Sequence, residues 1–566
     1  MINGSIQARA WAWCAGVVAV GLCAAWPFAW HGYPFNTDDV QWHSIWARQF
    51  LAEMQAGAVY PRWLHGMNAG QGSPTFFFYG PLSFYATSLA SVMAGGADAF
   101  GSLSIVATAA LCASGVTAFL WLRSLVGPVA GAAGAALYIV MPYHLTVDVW
   151  TRSAFAEANA YVWTPLLFLG IEQIRDGQIR GGRRAGVLVL SAGFGLLVAT
   201  HIITAMLAAL AAGLYALLRF GSVRSLLVMA GAMALGAGLA GGYLATALGL
   251  KELTEHTVGV LRPGLFVPMT AGEIGRPQLV RLFMLIWVAE LAAVAAFAAV
   301  GLVWVRGPMR GLWLAWAALL GVLLLAMTRP MEPIWNTLSV LQNVQFPSRL
   351  LALVDLGLAT AAALAMAALL SRRRWYGPAG GVVMLVLAGF GAAQAVLPLR
   401  AGAFDRAAAN WGVEWAIQGD HGFFRPLESV GRLPQDRRPP QPITDPLVSM
   451  DGGTASVAGF GPRRYEVQVD APAPATLRLR QLHFTGWQAS ADGAALPVQT
   501  GPTGMVAVAV PAGRHRVSIV LAATSVERVG WAVSGASAVI WLGLVGWLWR
   551  GRASRGGRVA REAGVG

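Results

Sequence analysis

Stretches of unbroken apolar sequence occupy most of this chain. Each is about 20 residues, long enough to cross a hydrocarbon layer ~30 Å thick as a helix. They are 11–30, 100–122, 127–142, 155–173, 184–200, 203–220, 224–246, 281–305, 310–327, 349–371, 380–397 and 528–549, about 12 expected spans. A thirteenth apolar run, 76–95, is broken by Gly80-Pro81 and carries Tyr79, Ser83, Tyr85, Thr87 and Ser88. The arginines decide its status. Arg123, the group Arg175/Arg180/Arg183/Arg184, Arg219 with Arg224, Arg306 with Arg310, Arg372–Arg374 and the tail Arg550/Arg552/Arg555/Arg558/Arg561 all fall on the cytoplasmic side, as positive-inside bias demands, only if 76–95 does not cross. It is therefore expected to be a juxtamembrane or re-entrant helix. The 11–30 run lacks a small-residue cleavage site before Trp26-Pro27-Phe28-Ala29-Trp30 and reads as a retained anchor.

The period changes near the C-terminus. Arg437-Arg438-Pro439-Pro440-Gln441-Pro442 is too proline-rich for helix or central strand and marks an extended linker. After it, two-residue alternation at Arg464–Asp470, Thr476–Leu482, Trp487–Ala491, Met505–Val510 and His515–Leu521 predicts strands, with turns at Asp492-Gly493 and Ala512-Gly513. The chain thus divides into a transmembrane core (1–397) with its first outer loop at 31–99, an outer-face β-sandwich (398–527) with Phe484 and Trp487 in its core, and a last span with a basic tail (528–566). Few contacts are expected to cross the edge of the β-domain.

Composition agrees with the pattern. With 56% hydrophobic and 12% charged residues, a soluble enzyme, a fibrous protein and a disordered scaffold are all excluded. The net charge of +14 would suggest nucleic acid in a soluble protein. Here the arginines lie between spans, so they read as topology determinants and nucleic acid is not an expected partner. Cys14, Cys23 and Cys112 all lie in apolar segments and make no disulfide framework.

Candidate chemistry concentrates in the first outer loop. Trp42, Ile45, Trp46, Phe50 and Met54 recur at helical spacing, so this segment should lie flat in the interface. Asp38 or Asp39 can cap its N-terminus, and a start at Asp39 places His43 one turn along on the same face. A capping Asp with an incidental His and a functional Asp/His pair both satisfy this spacing. Elsewhere, Arg62, Arg152 and Arg349 stand at outer boundaries, where positive-inside bias disfavours arginine. Arg152 has a simple alternative partner in Asp148, and Arg349 could snorkel to a lipid phosphate. Glu157 could be solvated, His201 could be a helix-packing histidine, and Glu290 and Asp355 fall within predicted spans. Glu252, Glu255 and His256 match no strict metal spacing, so no metal site is assigned.

The series Asp39-x3-His43, Gly57-x2-Tyr60-Pro61-Arg62-Trp63, Gly70-x-Gly72-x-Pro74 and Phe78-Tyr79-x-Pro81-Leu82 resembles the bacterial polytopic family labelled "6-pyruvoyl-tetrahydropterin synthase-related", close to YfhO-like proteins. The resemblance continues through Tyr143-His144, Thr151-Arg152 to Glu157, Thr200-His201, Gln345-Phe346-Pro347-Ser348-Arg349 and Gly486-Trp487, with Ser348 standing where an aromatic is expected. It implies a GT-C-like polytopic α-helical membrane protein in the bacterial cytoplasmic membrane. The implied activity is glycosyl transfer from a polyprenyl-phosphate sugar donor to a glycan or lipid acceptor on the extracytoplasmic face. Asp39, with Asp38 beside it, is implied as the catalytic base. His43, Arg62, Tyr79, Arg152, Glu157, His201 and Arg349 are implied to bind donor phosphate or substrate. No cofactor is expected, although some GT-C enzymes bind a divalent cation. Membrane lipids are the remaining expected partners. The competing class is a non-catalytic lipid or glycolipid transporter or assembly factor, which would use the intramembrane Glu290, Asp355 and His201.

Overall fold

The computed structural model describes residues 2–176, 182–256, 266–269, 277–370, 373–405, 423–426 and 446–562. Among them, nine helices are long and apolar enough to cross a membrane, or ten if the bent pair Val223–Leu239 and Gly241–Gly249, which meet at 84°, forms one span. The difference from the expected twelve lies in two places. The 11–30 run is α1 (Ile2–Ala24) followed, after a turn at Ala25, by the short α2 (Trp26–His31). The 155–173 run is split at Tyr161–Trp163 into α8 (Phe155–Ala160) and α9 (Thr164–Asp176), where α3 to α7 are Val40–Gln55, Thr75–Phe78, Leu82–Met93, Ala99–Val126 and Pro128–Val140. The second break adjoins the polar cluster described below, where Tyr161 bonds Asp148.

The run 76–95 does not form a continuous helix. Pro81 stops α4 and starts α5, whose 12 residues span only about 18 Å at 1.5 Å per residue, short of a crossing. Gly80 sits in the break because the backbone there packs on the end of α10 (Gly182–Thr200), where a Cβ would collide with the Thr200 carbonyl. At the opposite end of the bundle, Glu172 of α9 accepts from Arg175 and from Arg219, the last residue of α11 (Ile202–Arg219), each at 2.9 Å. Arg183 donates to the Ile174 carbonyl at 3.1 Å. These arginines share one end of the molecule and the first loop occupies the other, as the charge pattern requires.

All five predicted strands are present, joined by others in a four-stranded sheet (β3-β6-β10-β9) and a five-stranded one (β4-β5-β11-β7-β8). In chain order these are β3 Val448–Met450, β4 Thr454–Gly461, β5 Arg464–Ala471, β6 Ala475–Leu482, β7 Trp487–Ala491, β8 Ala494–Leu496, β9 Val498–Thr500, β10 Met505–Val510 and β11 Gly513–Leu521. Alternate residues Val467, Val469, Leu477, Leu479, Val506, Val508, Val517 and Ile519 are buried between the sheets. The turn at Asp492-Gly493 has both residues at positive φ, 48° and 90°, which suits the right-handed twist of the strands it joins. The linker Arg437–Pro442 lies outside the described residues.

The expectation of few contacts across the domain edge does not hold. Trp63 of the first loop donates to Gln481 Oε1 at 2.7 Å and packs on Phe484 and Trp487, at centroid distances of 6.2 and 5.8 Å. Phe77 and Phe78 join the same apolar cluster. The β-domain core therefore extends into the loop, whose aromatics divide between it (Trp63, Phe77, Phe78) and the helical core (Trp42, Trp46, Phe50, Phe76). A short pairing of β1 (Thr254–His256) with β2 (Phe423–Pro426) adds a second tie.

Candidate functional site

The cluster begins in an irregular stretch. Pro142 ends α7, and Tyr143–Thr151 continues as a π-helix with Arg152 N–H bonded to Val147 O, five residues back. π-Helical turns are rare and favour functional sites. This one ends in Ser153 at a φ of 51°, unusual for a residue with a Cβ. The Ser153 carbonyl thereby accepts from His43 at 3.0 Å, and its hydroxyl accepts from Thr37 at 2.8 Å.

Arg152 is the hub. It lies 2.7 Å from Asp148, 3.1 Å from Glu157 and 3.7 Å from Asp39. Arg349 reaches Glu157 from the other side at 3.2 Å and also donates to the Val344 carbonyl at 2.8 Å. Tyr161 donates to the second Asp148 oxygen at 2.8 Å. Asp39, the neighbouring Arg152 and Glu157, and Arg349 are thus brought together from three distant points in the chain. Arg152 and Arg349 meet three carboxylates, Asp39, Asp148 and Glu157, so formal negative charge exceeds positive.

Asp39 occupies the N-cap position of α3, yet its side chain makes no capping hydrogen bond. Its backbone N–H is held by the Arg152 carbonyl at 2.8 Å and its carboxylate turns toward the Arg152 guanidinium. That carboxylate is 37% exposed, while Arg152, Asp148 and Glu157 are almost fully enclosed. Burial of the surroundings raises the Asp39 pKa above the usual carboxylate range, Arg152 opposes this, and Asp38 and Glu157 reinforce it.

His43 is buried and has both ring nitrogens engaged. Nδ1 faces the Ser153 carbonyl and must carry the proton, so Nε2 accepts from the Tyr79 hydroxyl at 3.1 Å. Burial lowers its pKa to about 3, so the ring is neutral. It offers no free nitrogen to a phosphate, and the expectation that it binds one is replaced by a role in fixing Tyr79. His201 is the N-cap of α11, its Nδ1 2.7 Å from Thr204 Oγ1. Tyr79 and His201 both line an apolar groove of about 510 Å³ between α10, α11 and the bent pair α12 (Val223–Leu239) and α13 (Gly241–Gly249). The groove opens past Leu248 and Val340, both more than half exposed, where a lipid tail could enter.

Arg62 is not part of this cluster. Its guanidinium donates to Thr246 Oγ1 at 2.8 Å and to Gly242 O at 2.6 Å, and it lies 3.2 Å from Glu527. With every nitrogen committed at 2% exposure, it pins the bend between α12 and α13 to the start of the last helix, and the expectation of a phosphate contact there is corrected accordingly. Glu290, on α14 (Pro277–Val303), and Asp355, in the helix Leu351–Leu370, face each other inside the bundle, and Asp355 accepts from the His144 N–H at 2.9 Å. Among the described residues no group of three or more His, Cys, Asp or Glu could hold a metal ion, and the Glu255 and His256 side chains lie outside them.

Sequence reasoning met Asp148 only as a bland partner for Arg152 and missed Ser153 and Tyr161. The Asp148/Arg152 spacing was the available signal.

No family model matches the chain, and no curated protein does. Among solved structures, the arabinofuranosyltransferase AftD from mycobacteria aligns at 15% identity and a TM-score of 0.43, over 68% of this chain and 28% of its own. The oligosaccharyltransferase AglB from Archaeoglobus fulgidus, in complex with an inhibitory peptide and a dolichol-phosphate, aligns at 12% and 0.38, over 71% and 56%. ArnT from Cupriavidus metallidurans, bound to undecaprenyl phosphate, aligns at 13% and 0.36, over 75% and 78%. The chain spans little more than a quarter of the length of AftD. Likenesses this distant assign neither family nor activity.

Proposed function

We propose that the protein is a membrane glycosyltransferase of GT-C type, moving a sugar from a polyprenyl-phosphate donor to a glycan or lipid acceptor on the extracytoplasmic face of the bacterial cytoplasmic membrane. The observation that carries this reading is the junction of two unlike environments. An apolar groove suited to a prenyl chain ends at Tyr79 and His201, and Tyr79 is bonded through His43 into the shell around the exposed Asp39 carboxylate. In this reading Asp39 takes the proton of the acceptor hydroxyl as its oxygen bonds to the anomeric carbon. The bond from that carbon to phosphate oxygen breaks, and the phosphate leaves with the electron pair. Arg152, clamped by Asp148 and Glu157, holds Asp39 in place and favours its ionised form.

The transporter reading draws on the Glu290/Asp355 pair, since facing carboxyls inside a bundle can share a proton. It leaves an uncapped, exposed Asp39 beside a fixed arginine without a task. Purified protein in nanodiscs, given a radiolabelled polyprenyl-phosphate sugar and membrane extract as acceptor source, tests the choice. Labelled product that depends on Asp39 supports transfer, whereas donor binding or flipping without product in any extract favours transport.

A further inference from the structure

Among the described residues that line the groove, one is a cation, and it is not one of the arginines assigned to phosphate by resemblance. Arg152 is already engaged by Asp39, Asp148 and Glu157, and Arg349 by Glu157 and the Val344 carbonyl, so an incoming phosphate monoester or diester would have to displace those partners. Arg62 lies on the far side of α13, bonded to Gly242 and Thr246, while Leu244 and Leu248 face the groove. Lys251 follows α13 directly and lines the groove with Ser339 and Asn343. Its ion contact among the described residues is a 3.6 Å approach to Glu252, which is 82% exposed, and a pair of that kind is weak. Lys251 is also the only lysine in a chain whose other basic residues are all arginine.

We infer that Lys251 is the headgroup cation of the groove, binding the phosphate of a prenyl phosphate whose chain lies along the apolar wall, with the Ser339 hydroxyl as a hydrogen-bond donor. This rests on the transferase reading for its biological donor, but the binding site itself is a separate claim. An ammonium on a flexible stem suits a phosphate that must arrive with its lipid and depart after the sugar is lost, because it acts as a point charge and imposes no fork geometry. The mouth toward lipid at Leu248 and Val340 supplies the route for the chain.

The unique lysine gives a direct readout. Amine acylation of the full-length protein in nanodiscs, read by mass spectrometry of the Lys251 peptide, is measured with farnesyl phosphate, farnesol or inorganic phosphate. Farnesyl phosphate is expected to protect Lys251, and inorganic phosphate at the same concentration is not. Lys251→Gln is expected to weaken farnesyl phosphate binding about ten- to hundred-fold, the loss of one charge-assisted contact. Farnesol binding by that variant should be unchanged, which shows that the groove is still folded, and Lys251→Arg should retain most of the phosphate preference. Unaltered preference for farnesyl phosphate over farnesol in Lys251→Gln overturns the assignment. So does equal protection by inorganic phosphate or by anionic phospholipid, which would mark a free-anion site or a snorkelling lysine. Loss of the preference in Lys251→Gln, in a protein that never transfers sugar, would keep the site and remove the transferase reading.

Discussion

Arg152 and Arg62 are both buried arginines that meet carboxylates at the end of the bundle carrying the first loop, and their surroundings separate two uses of the same chemistry. Around Arg62 everything is closed. Glu527 is 2% exposed, is shared with Arg463 at 2.9 Å, and accepts the Thr524 N–H, so its carboxylate does not face outward. Around Arg152 the inner shell is equally satisfied, but one carboxylate, Asp39, is left partly open and released from the capping bond its position would allow. A closed cluster joins segments. A cluster with one open member holds that member in position, which is what a reacting group needs.

The sharpest break of this comparison is Asp39→Asn. Asn caps nearly as well as Asp and keeps the size of the side chain, and Asp39 makes no capping bond to lose. Sugar transfer is expected to fall about a hundred- to ten-thousand-fold, with an unchanged midpoint of thermal unfolding in detergent. A fall in the melting midpoint with transfer retained would put Asp39 in the same class as Arg62.

Arg62→Ala is the mirror experiment. It leaves Glu527 buried and short of one partner and frees the Gly242 carbonyl at the 84° bend. Removal of one member of a buried ion pair costs about 3–5 kcal/mol, so the expected outcome is a large drop in thermal stability. Residual activity should track the folded fraction. Selective loss of donor binding in a fully folded protein would return Arg62 to the substrate site.

How far these two roles could be read from sequence depends on the residues. The spans follow from apolar runs, and the strands from alternation, because one buried face imposes a period of two. Helical spacing linked Asp39 to His43 and the outer-boundary position marked Arg152 and Arg349, but only the resemblance joined these with Glu157 in one set. Arg62 looked like its companions because exposure to lipid phosphate and burial against Gly242, Thr246 and Glu527 have the same local sequence. Its partners lie some 180 and 465 positions away. The π-helix was invisible for a related reason: its i to i−5 bonds leave no hydrophobic period in nine residues, and the stretch fell between the predicted spans 127–142 and 155–173. Trp487 was correctly placed in a core, but that core includes Trp63 of the first loop, which strand alternation cannot report.

A smaller effect sharpens the open cluster from within. Asp38 adds negative charge beside Asp39 and helps to raise its pKa. Only ionised Asp39 can accept a proton, so activity should fall on acidification, with the break above the 3.8 of a free aspartate. Asp38→Asn removes a neighbouring negative charge, makes Asp39 easier to ionise and moves that break to lower pH, with little change in kcat/KM on the plateau. A pH–rate profile of the two proteins checks the sign. A shift to higher pH, or loss of the plateau itself, would show that Asp38 is the base and that the register is off by one residue.

The smallest effect serves as the control for both clusters. Arg514 and Asp470 form an ion pair at 2.8 Å on the outer face of the five-stranded sheet, directly across β5 and β11, and their side chains are 86% and 50% exposed. Water already solvates both groups, and the pair gives up side-chain freedom to form, so its net contribution is about 0–1 kcal/mol. Arg514→Ala should therefore leave thermal stability within about 1 kcal/mol of the parent and leave transfer untouched. The distance is as short as those around Arg152, so this variant isolates enclosure as the variable. If removing Arg514 cost as much as removing Arg62, proximity of opposite charges alone would account for the stability effects, and the contrast between closed and open clusters would lose its physical basis.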